Sequence, residues 1–198
     1  MIELDKPRVV IIAGPNGAGK TTFGQRLIPE LFELLDFVNA DIIARGLSPT
    51  NPESVAFEAG EIMLGRLRKL AEERRNFGFE TTLSGRTYAS WLRQWCASGY
   101  EFRLLFVSLE SPQLSIERVA ERVRRGGHFV PDETVMRRFR LGIKNFFELY
   151  QPLSHTWAVY DNSREGEPRV VACGGQDHPV IVFDSLYWLR FRSGDLCK

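Results

Sequence analysis

Cysteine is scarce in this 198-residue chain: Cys96, Cys173 and Cys197 are odd in number and have no CxxC spacing. A disulfide framework or a structural zinc site is therefore not expected, and all three read as ordinary thiols. Neither sign of charge is in excess. The 26 Lys and Arg nearly balance the 25 Asp and Glu, so the whole molecule offers no general attraction to nucleic acid or to an anionic membrane, and any anion site has to be local. No stretch approaches the roughly 18 uninterrupted apolar residues of a membrane span. The charged segment Met1 to Arg8 leads into a short apolar run ended by glycine and proline, unlike the core of a secretory signal, so a cytoplasmic protein is expected. The chain has no NKxD-like guanine motif and no clean apolar-run-then-Asp motif. The nearest match to the second, the run ending at Leu109 before Glu110, is weak, and no metal is assigned to Glu110. Internal repeats, low-complexity segments and linkers are absent as well.

A hydrophobic content of 43% suffices for one compact core but is thin for two, so a single domain over residues 1–198 is expected. Strand-like runs at Arg8 to Ala13, Leu35 to Asn39, Phe77 to Thr82, Phe102 to Leu109 and Trp157 to Tyr160 alternate with helical patterns. This predicts an α/β fold with a mainly parallel sheet flanked by helices, whose strand carboxyl ends line the ligand crevice. Pro52 to Arg75 reads as one long helix and Tyr88 to Ala97 as a shorter one. Pro112 to Arg125 and Pro131 to Tyr150 read as a helical hairpin, residues 112–150, with Gly126 and Gly127 as C-cap and Pro131 in the first turn of its second helix. Short strands at Arg169 to Cys173 and Val180 to Phe183 and a helix at Ser185 to Arg192 close the chain.

The strongest local signal is Gly14-Pro15-Asn16-Gly17-Ala18-Gly19-Lys20-Thr21, which fits GxxxxGK[ST] with an apolar strand before it and a helix-compatible segment, opening with Thr22, behind it. Such a loop lets consecutive backbone N–H groups converge on phosphate oxygens, the helix N-terminus adds its positive end, Lys20 reaches the β and γ phosphates, and Thr21 offers a hydroxyl to Mg²⁺. ATP and Mg²⁺ are the expected cofactors. The modest size and the missing guanine motif favour a small P-loop kinase over a motor or a GTPase.

Asp41 follows the second strand and is the candidate general base for an acceptor hydroxyl; the alternative is that it caps the helix beginning at Ile42. Glu80, with Thr82 close behind, ends the third strand. Glu80 is expected to hold the acceptor, orient Asp41 or contact Mg²⁺ through water, or else to pair with an arginine such as Arg86. In the first hairpin helix Ile116, Val119, Ala120 and Val123 form an apolar stripe, while Arg118, Arg122 and Arg125 share another face suited to anions. The second helix adds Arg137, Arg138 and Arg140 beside a core set of Val135, Met136, Phe139, Ile143 and Phe146. Arginines closing over a transferring phosphoryl group stabilise its charge, so the hairpin reads as a lid. His128 lies in the turn between its helices, and the segment Tyr160-Asp161-Asn162-Ser163 is either a border of an adenine site or an ordinary turn.

Taken in order, GPNGAGKTT, VNAD, FETTLSG, RVAERVRRGGHFVP and RRF resemble the zeta-toxin family of P-loop kinases from about Arg8 to Tyr150, with the later VYDNS similar too. The GGH form is closest to its compact stand-alone members. The resemblance implies a nucleotide-kinase-like fold, ATP as donor and, for the characterised toxins, phosphorylation of a hydroxyl on UDP-N-acetylglucosamine. It maps the loop lysine onto Lys20, the base onto Asp41, the acceptor glutamate onto Glu80, and phosphate-binding arginines onto Arg122 and Arg138. Toxicity and an antitoxin partner are not carried over. Two other readings stay open: an antibiotic or nucleoside phosphotransferase with the same ATP site, and a nucleotide-switched nucleic-acid-binding protein, which the near-neutral charge disfavours.

Overall fold

The computed structural model describes residues 6–25 and 36–197; Leu35, at the expected start of the second strand, and the leading segment 1–5 lie outside them. Within these residues a seven-stranded sheet has the order β2-β3-β1-β4-β5-β6-β7. Its strands are β1 (Arg8–Ala13), β2 (Asp36–Val38), β3 (Phe77–Thr81), β4 (Glu101–Ser108), β5 (Thr156–Asp161), β6 (Arg169–Gly175) and β7 (Ile181–Val182). The first five in chain order pair parallel, and β6 and β7 extend the sheet antiparallel. Val9 to Ala13 of β1 are buried without exception, as a central parallel strand covered on both faces requires. Neither neighbour of β1 follows it in the chain, so a crevice opens at its carboxyl end, where the glycine-rich loop begins.

The helices are α1 (described over residues 20–25), α2 (Ala40–Leu47), α3 (Ala56–Glu72), α4 (Thr87–Ala97), α5 (Pro112–Arg124), α6 (Asp132–Asn145) and α7 (Ser185–Ser193). Two helices depart from the sequence reading. The long helix expected from Pro52 is divided: Pro52–Val55 forms a tight turn, and Val55 at φ −114°, ψ 13° leaves helical geometry before α3 begins. Pro131 precedes α6 with extended backbone, and Asp132 and Glu133 occupy its first turn, where negative charge meets the positive helix end. Beyond Asn145 the expected helix runs on to Tyr150, but in wider, π-type turns over Phe146–Tyr150.

The main core joins the sheet to an aromatic cluster in which Phe106, Phe146 and Phe191 pack edge to face, with ring centroids 5.3–5.5 Å apart, and Trp157 stacks on Trp188. The α5–α6 hairpin also carries a small core of its own: Val119, Val130 and Val135, with Ile116 and Val123 against them. Gly126, at φ +82°, closes α5.

The loop leaves β1 through Gly14, whose φ is +142°; a Cβ there would lie 2.0 Å from the Val107 carbonyl oxygen of β4. Strand and loop are thus too close for any side chain. Gly14→Ala is expected to lower the unfolding free energy by roughly 2 kcal/mol or more. Urea unfolding checks this, and an unchanged midpoint would contradict the close approach.

Candidate active site

Three strand ends and the helical hairpin meet around the glycine-rich loop. From β1, the Gly14 N–H donates to the Thr81 carbonyl of β3 at 3.2 Å, and Lys20, first residue of α1, turns its Nζ back to the Pro15 carbonyl at 2.8 Å. From β3, whose register sets Glu80 beside Ile12, the Glu80 carboxylate accepts a hydrogen bond from the Thr21 hydroxyl at 3.1 Å. Its other oxygen, Oε1, is buried with no hydrogen-bond partner among the described residues. From β2, Asn39 caps α2, its Oδ1 accepting from the backbone N–H groups of Asp41 (2.8 Å) and Ile42 (3.3 Å).

Asp41 is therefore not the cap. Asn39 does that work, and the Asp41 carboxylate, exposed in the first turn of α2, has no hydrogen-bond partner among the described residues. Its charge acts on Lys20, Glu80 and Arg138. The alternative for Glu80, a pair with an arginine such as Arg86, does not appear among the described residues; Glu80 turns to Thr21.

The hairpin arginines divide into distinct uses. Arg122 donates to the His128 carbonyl at 2.6 Å, while its buried Nε has no partner. Arg138 reaches the Asn16 side chain in the loop at 3.5 Å, and both act electrostatically on Lys20. Arg118, read as one of the same face, instead binds the Asn162 and Ser163 carbonyls at 2.7 and 3.1 Å. Arg124 and Arg125 pair with Glu121 on the outer surface. The His128 ring faces Glu53 at 3.3 Å, and the Phe129 N–H donates to the same Glu53 oxygen at 3.0 Å. The turn of the hairpin thus touches the segment that follows α2.

Burial lowers Lys20 from its ordinary 10.5 to about 8; Glu80 and Asp41 oppose the shift and Arg122 and Arg138 reinforce it. Burial raises Glu80, against the pull of Lys20 and of the hydrogen bond from Thr21. Burial also lowers Arg138, with Arg137 adding to the effect and Asp41 opposing it. Lys20 and Arg138, both disfavoured as cations by burial, would be stabilised by a polyanion placed between them.

No group of three or more His, Cys, Asp or Glu is gathered for a metal among the described residues. Magnesium, which takes one or two protein oxygens and otherwise water and phosphate, needs no such cage. The Thr21 hydroxyl beside the unpartnered Glu80 Oε1 fits it.

Behind Glu80, the Thr82 and Ser84 hydroxyls lie 2.9 Å apart around Leu83, which is buried at φ +54°. A left-handed leucine costs about 1–3 kcal/mol and persists only when its surroundings hold it. Asn145 of α6 does so, donating to the Leu83 carbonyl at 2.6 Å. The sequence reading gives no role to Asn39 or Asn145, and places Asn162 only within a segment that is either an adenine border or an ordinary turn. Asn39 carried a signal, an Asn directly before a helix; the other two act on residues far away in the chain.

A family model described as an AAA domain matches residues 9–141. A protein of Haemophilus influenzae described as uncharacterized is 25% identical over 135 residues, 67% of this chain and 92% of that one. Among solved structures, the chain is similar to the AvrRxo1-ORF1:AvrRxo1-ORF2 complex with sulphate ions, at TM-score 0.76 and 15% identity, over 94% of this chain and 64% of the other. The same system with ATP gives 0.74 at 16% identity, with the same coverage. The PezAT chromosomal toxin–antitoxin system of Streptococcus pneumoniae gives 0.58 at 16%, over 83% of this chain and 71% of that one. The chain spans 64% of the AvrRxo1 chain it matches. These likenesses show a P-loop NTPase-like α/β fold.

The depressed Lys20 has a measurable consequence without ligand. The unfolded chain holds this proton up to about 10.5 while the folded chain releases it near 8, so the lysine's cost to stability is full below about pH 8 and fades as pH rises toward 10.5. Lys20→Met is expected to raise the ligand-free melting temperature at pH 7 by roughly 2–4 °C or more, with the gain shrinking across that window. A gain that does not change with pH would contradict the buried-cation account.

Proposed function

The chain belongs to the AAA domain family whose model matches residues 9–141, and from that premise we propose that it is an ATP-dependent small-molecule kinase of the zeta-toxin type. It would transfer the γ-phosphoryl group to a hydroxyl of a nucleotide sugar such as UDP-N-acetylglucosamine. One observation carries the reading: Lys20, Arg122 and Arg138 share a space with the carboxylates of Asp41 and Glu80 at the carboxyl ends of β1 to β3, so their charges act on one another. The likeness to structures named for a toxin–antitoxin system and for an ATP complex supports it.

The loop N–H groups and Lys20 receive the β and γ phosphates, and Arg122 and Arg138 close on the γ-phosphoryl group from the hairpin side. Magnesium, held with ATP by Thr21 and, directly or through water, by Glu80, would neutralise phosphate charge. Asp41, exposed at the mouth of this space, accepts the acceptor's hydroxyl proton as that oxygen bonds to the γ-phosphorus; the bond from phosphorus to the β–γ bridging oxygen breaks, and ADP leaves with the electron pair. The loose transition state makes charge neutralisation and alignment the larger contributions, which explains three cations for one carboxylate base. Thr82 and Ser84, locked by the strained Leu83, supply fixed hydroxyls for the acceptor beside Glu80. The α5–α6 hairpin, with its own small core, acts as the lid of a single kinase domain. A cytoplasmic location suits the need for ATP; among the described residues no helix is long and apolar enough to cross a membrane.

Incubation with γ-labelled ATP, Mg²⁺ and UDP-N-acetylglucosamine tests the proposal. Label is expected on the sugar nucleotide. Asp41→Asn is expected to cut kcat by about 10²-fold or more, with ATP affinity within about threefold of wild type. Absence of labelled acceptor, or labelling that Asp41→Asn leaves intact, would overturn the reading.

A further inference from the structure

The segment after β5 is held from several directions although it carries none of the groups assigned to phosphoryl transfer. The Asn162 N–H donates to the Ser108 carbonyl at 3.0 Å. The buried Asp161 carboxylate accepts from the Ser163 N–H (2.9 Å), from the Ser163 hydroxyl and from Arg169 (2.7 Å), and the Ser163 hydroxyl receives the Glu110 N–H at 2.8 Å. Onto this fixed segment Arg118 of α5 places its guanidinium, one nitrogen on the Asn162 carbonyl and one on the Ser163 carbonyl. The Asn162 side chain in turn reaches the phosphate loop: its Nδ2 donates to the Ala18 carbonyl at 2.8 Å, and a Cβ at Gly19 would lie 2.8 Å from that nitrogen.

We propose that Asn162 and Arg118 form a clamp that sets the phosphate loop in its anion-binding shape, making both of them positioning residues for the nucleotide. The reasoning is geometric. In a planar trans peptide the carbonyl and the following N–H point in opposite directions. Holding the Ala18 oxygen toward Asn162 therefore turns the Gly19 N–H away from it, to the inner side of the loop. A second brace repeats the device: the Ser115 hydroxyl, one turn before Arg118 on α5, donates to the Asn16 carbonyl and turns the Gly17 N–H inward in the same manner. Two alternate carbonyls of the loop are thus tied from outside, and the N–H groups behind them are left for phosphate. An N–H aimed in advance spares the ligand the cost of ordering it.

The proposal rests on the nucleotide reading but acts on phosphates, not on the base, and this separates it from the view that residues 160–163 border the adenine. Affinities of wild type, Asn162→Ala, Arg118→Ala and the double variant for ATP·Mg²⁺ and for adenosine, by calorimetry or resonance titration, test it. Asn162→Ala is expected to weaken ATP about tenfold, the scale of one well-placed hydrogen bond, while leaving adenosine within about twofold. Arg118→Ala shifts ATP in the same direction, and the double variant loses less than the product of the single losses, because both break one device. If Asn162→Ala fails to fold, Arg118→Lys, which keeps a charge but loses the fork, is measured in its place with the same expected split. Equal losses for ATP and adenosine, or ATP affinity unchanged in a folded variant, would overturn the clamp alone. A wild-type protein that binds no ATP would overturn the nucleotide reading together with it.

Discussion

The charge of the Lys20 ammonium, partly withdrawn from water in the loop that the lysine itself ends, is the constraint on which the rest of the site depends. Removing a charge from water costs several kcal/mol unless something nearby compensates. Here the compensation within the protein is partial: Glu80 and Asp41 favour the charge, but burial and the two arginines outweigh them. At neutral pH the folded chain therefore carries a poorly solvated cation at one place, which an anion brought from outside would stabilise. The neighbouring carboxylates keep that cost from becoming prohibitive in the empty protein. The arginines keep those carboxylates from offsetting it fully.

The hairpin gives this arrangement its second component. Because Val119, Val130 and Val135 form a core separate from the sheet, α5 and α6 hold together as a unit, and Arg122 and Arg138 are presented by it jointly. Its turn meets Glu53 through His128 and Phe129, next to the segment whose preceding helix carries Asp41. The hairpin and the segment that follows α2 are thus in contact. The base of the hairpin serves a different end: Ser115 and Arg118 belong to the same helix as Arg122 but face the loop and the segment after β5. One helix thus carries both the arginine whose charge acts on Lys20 and the side chains that bind the glycine-rich loop and the segment after β5.

What was legible in the sequence was local. The uninterrupted apolar run of β1 followed by GPNGAGKT announces strand, loop and helix within a few residues, and the rule that chemistry gathers at parallel strand ends led to Asp41 and Glu80. Arg118 and Arg122, one helical turn apart, could not be told apart by spacing, since the distinction lies in a partner 44 residues downstream of Arg118. Leu83 gives no warning of a left-handed backbone, because leucine normally avoids it and the hydrogen bond on its carbonyl comes from Asn145, 62 residues away. The break before α3 was missed for a related reason: Pro52 suits the start of a tight turn as well as that of a helix, and the geometry of Val55 decides between them.

The central claim is that Lys20, Arg122 and Arg138 are arranged for the charge of a transferring phosphoryl group rather than for a bound nucleotide alone. Calorimetric binding of ADP·Mg²⁺ with and without aluminium fluoride, which mimics that group in transit, tests it most directly. The account predicts at least about 10²-fold tighter binding with the fluoride present, lost when both arginines are replaced by alanine. Equal affinity with and without it, in a protein that binds ADP, would contradict the claim.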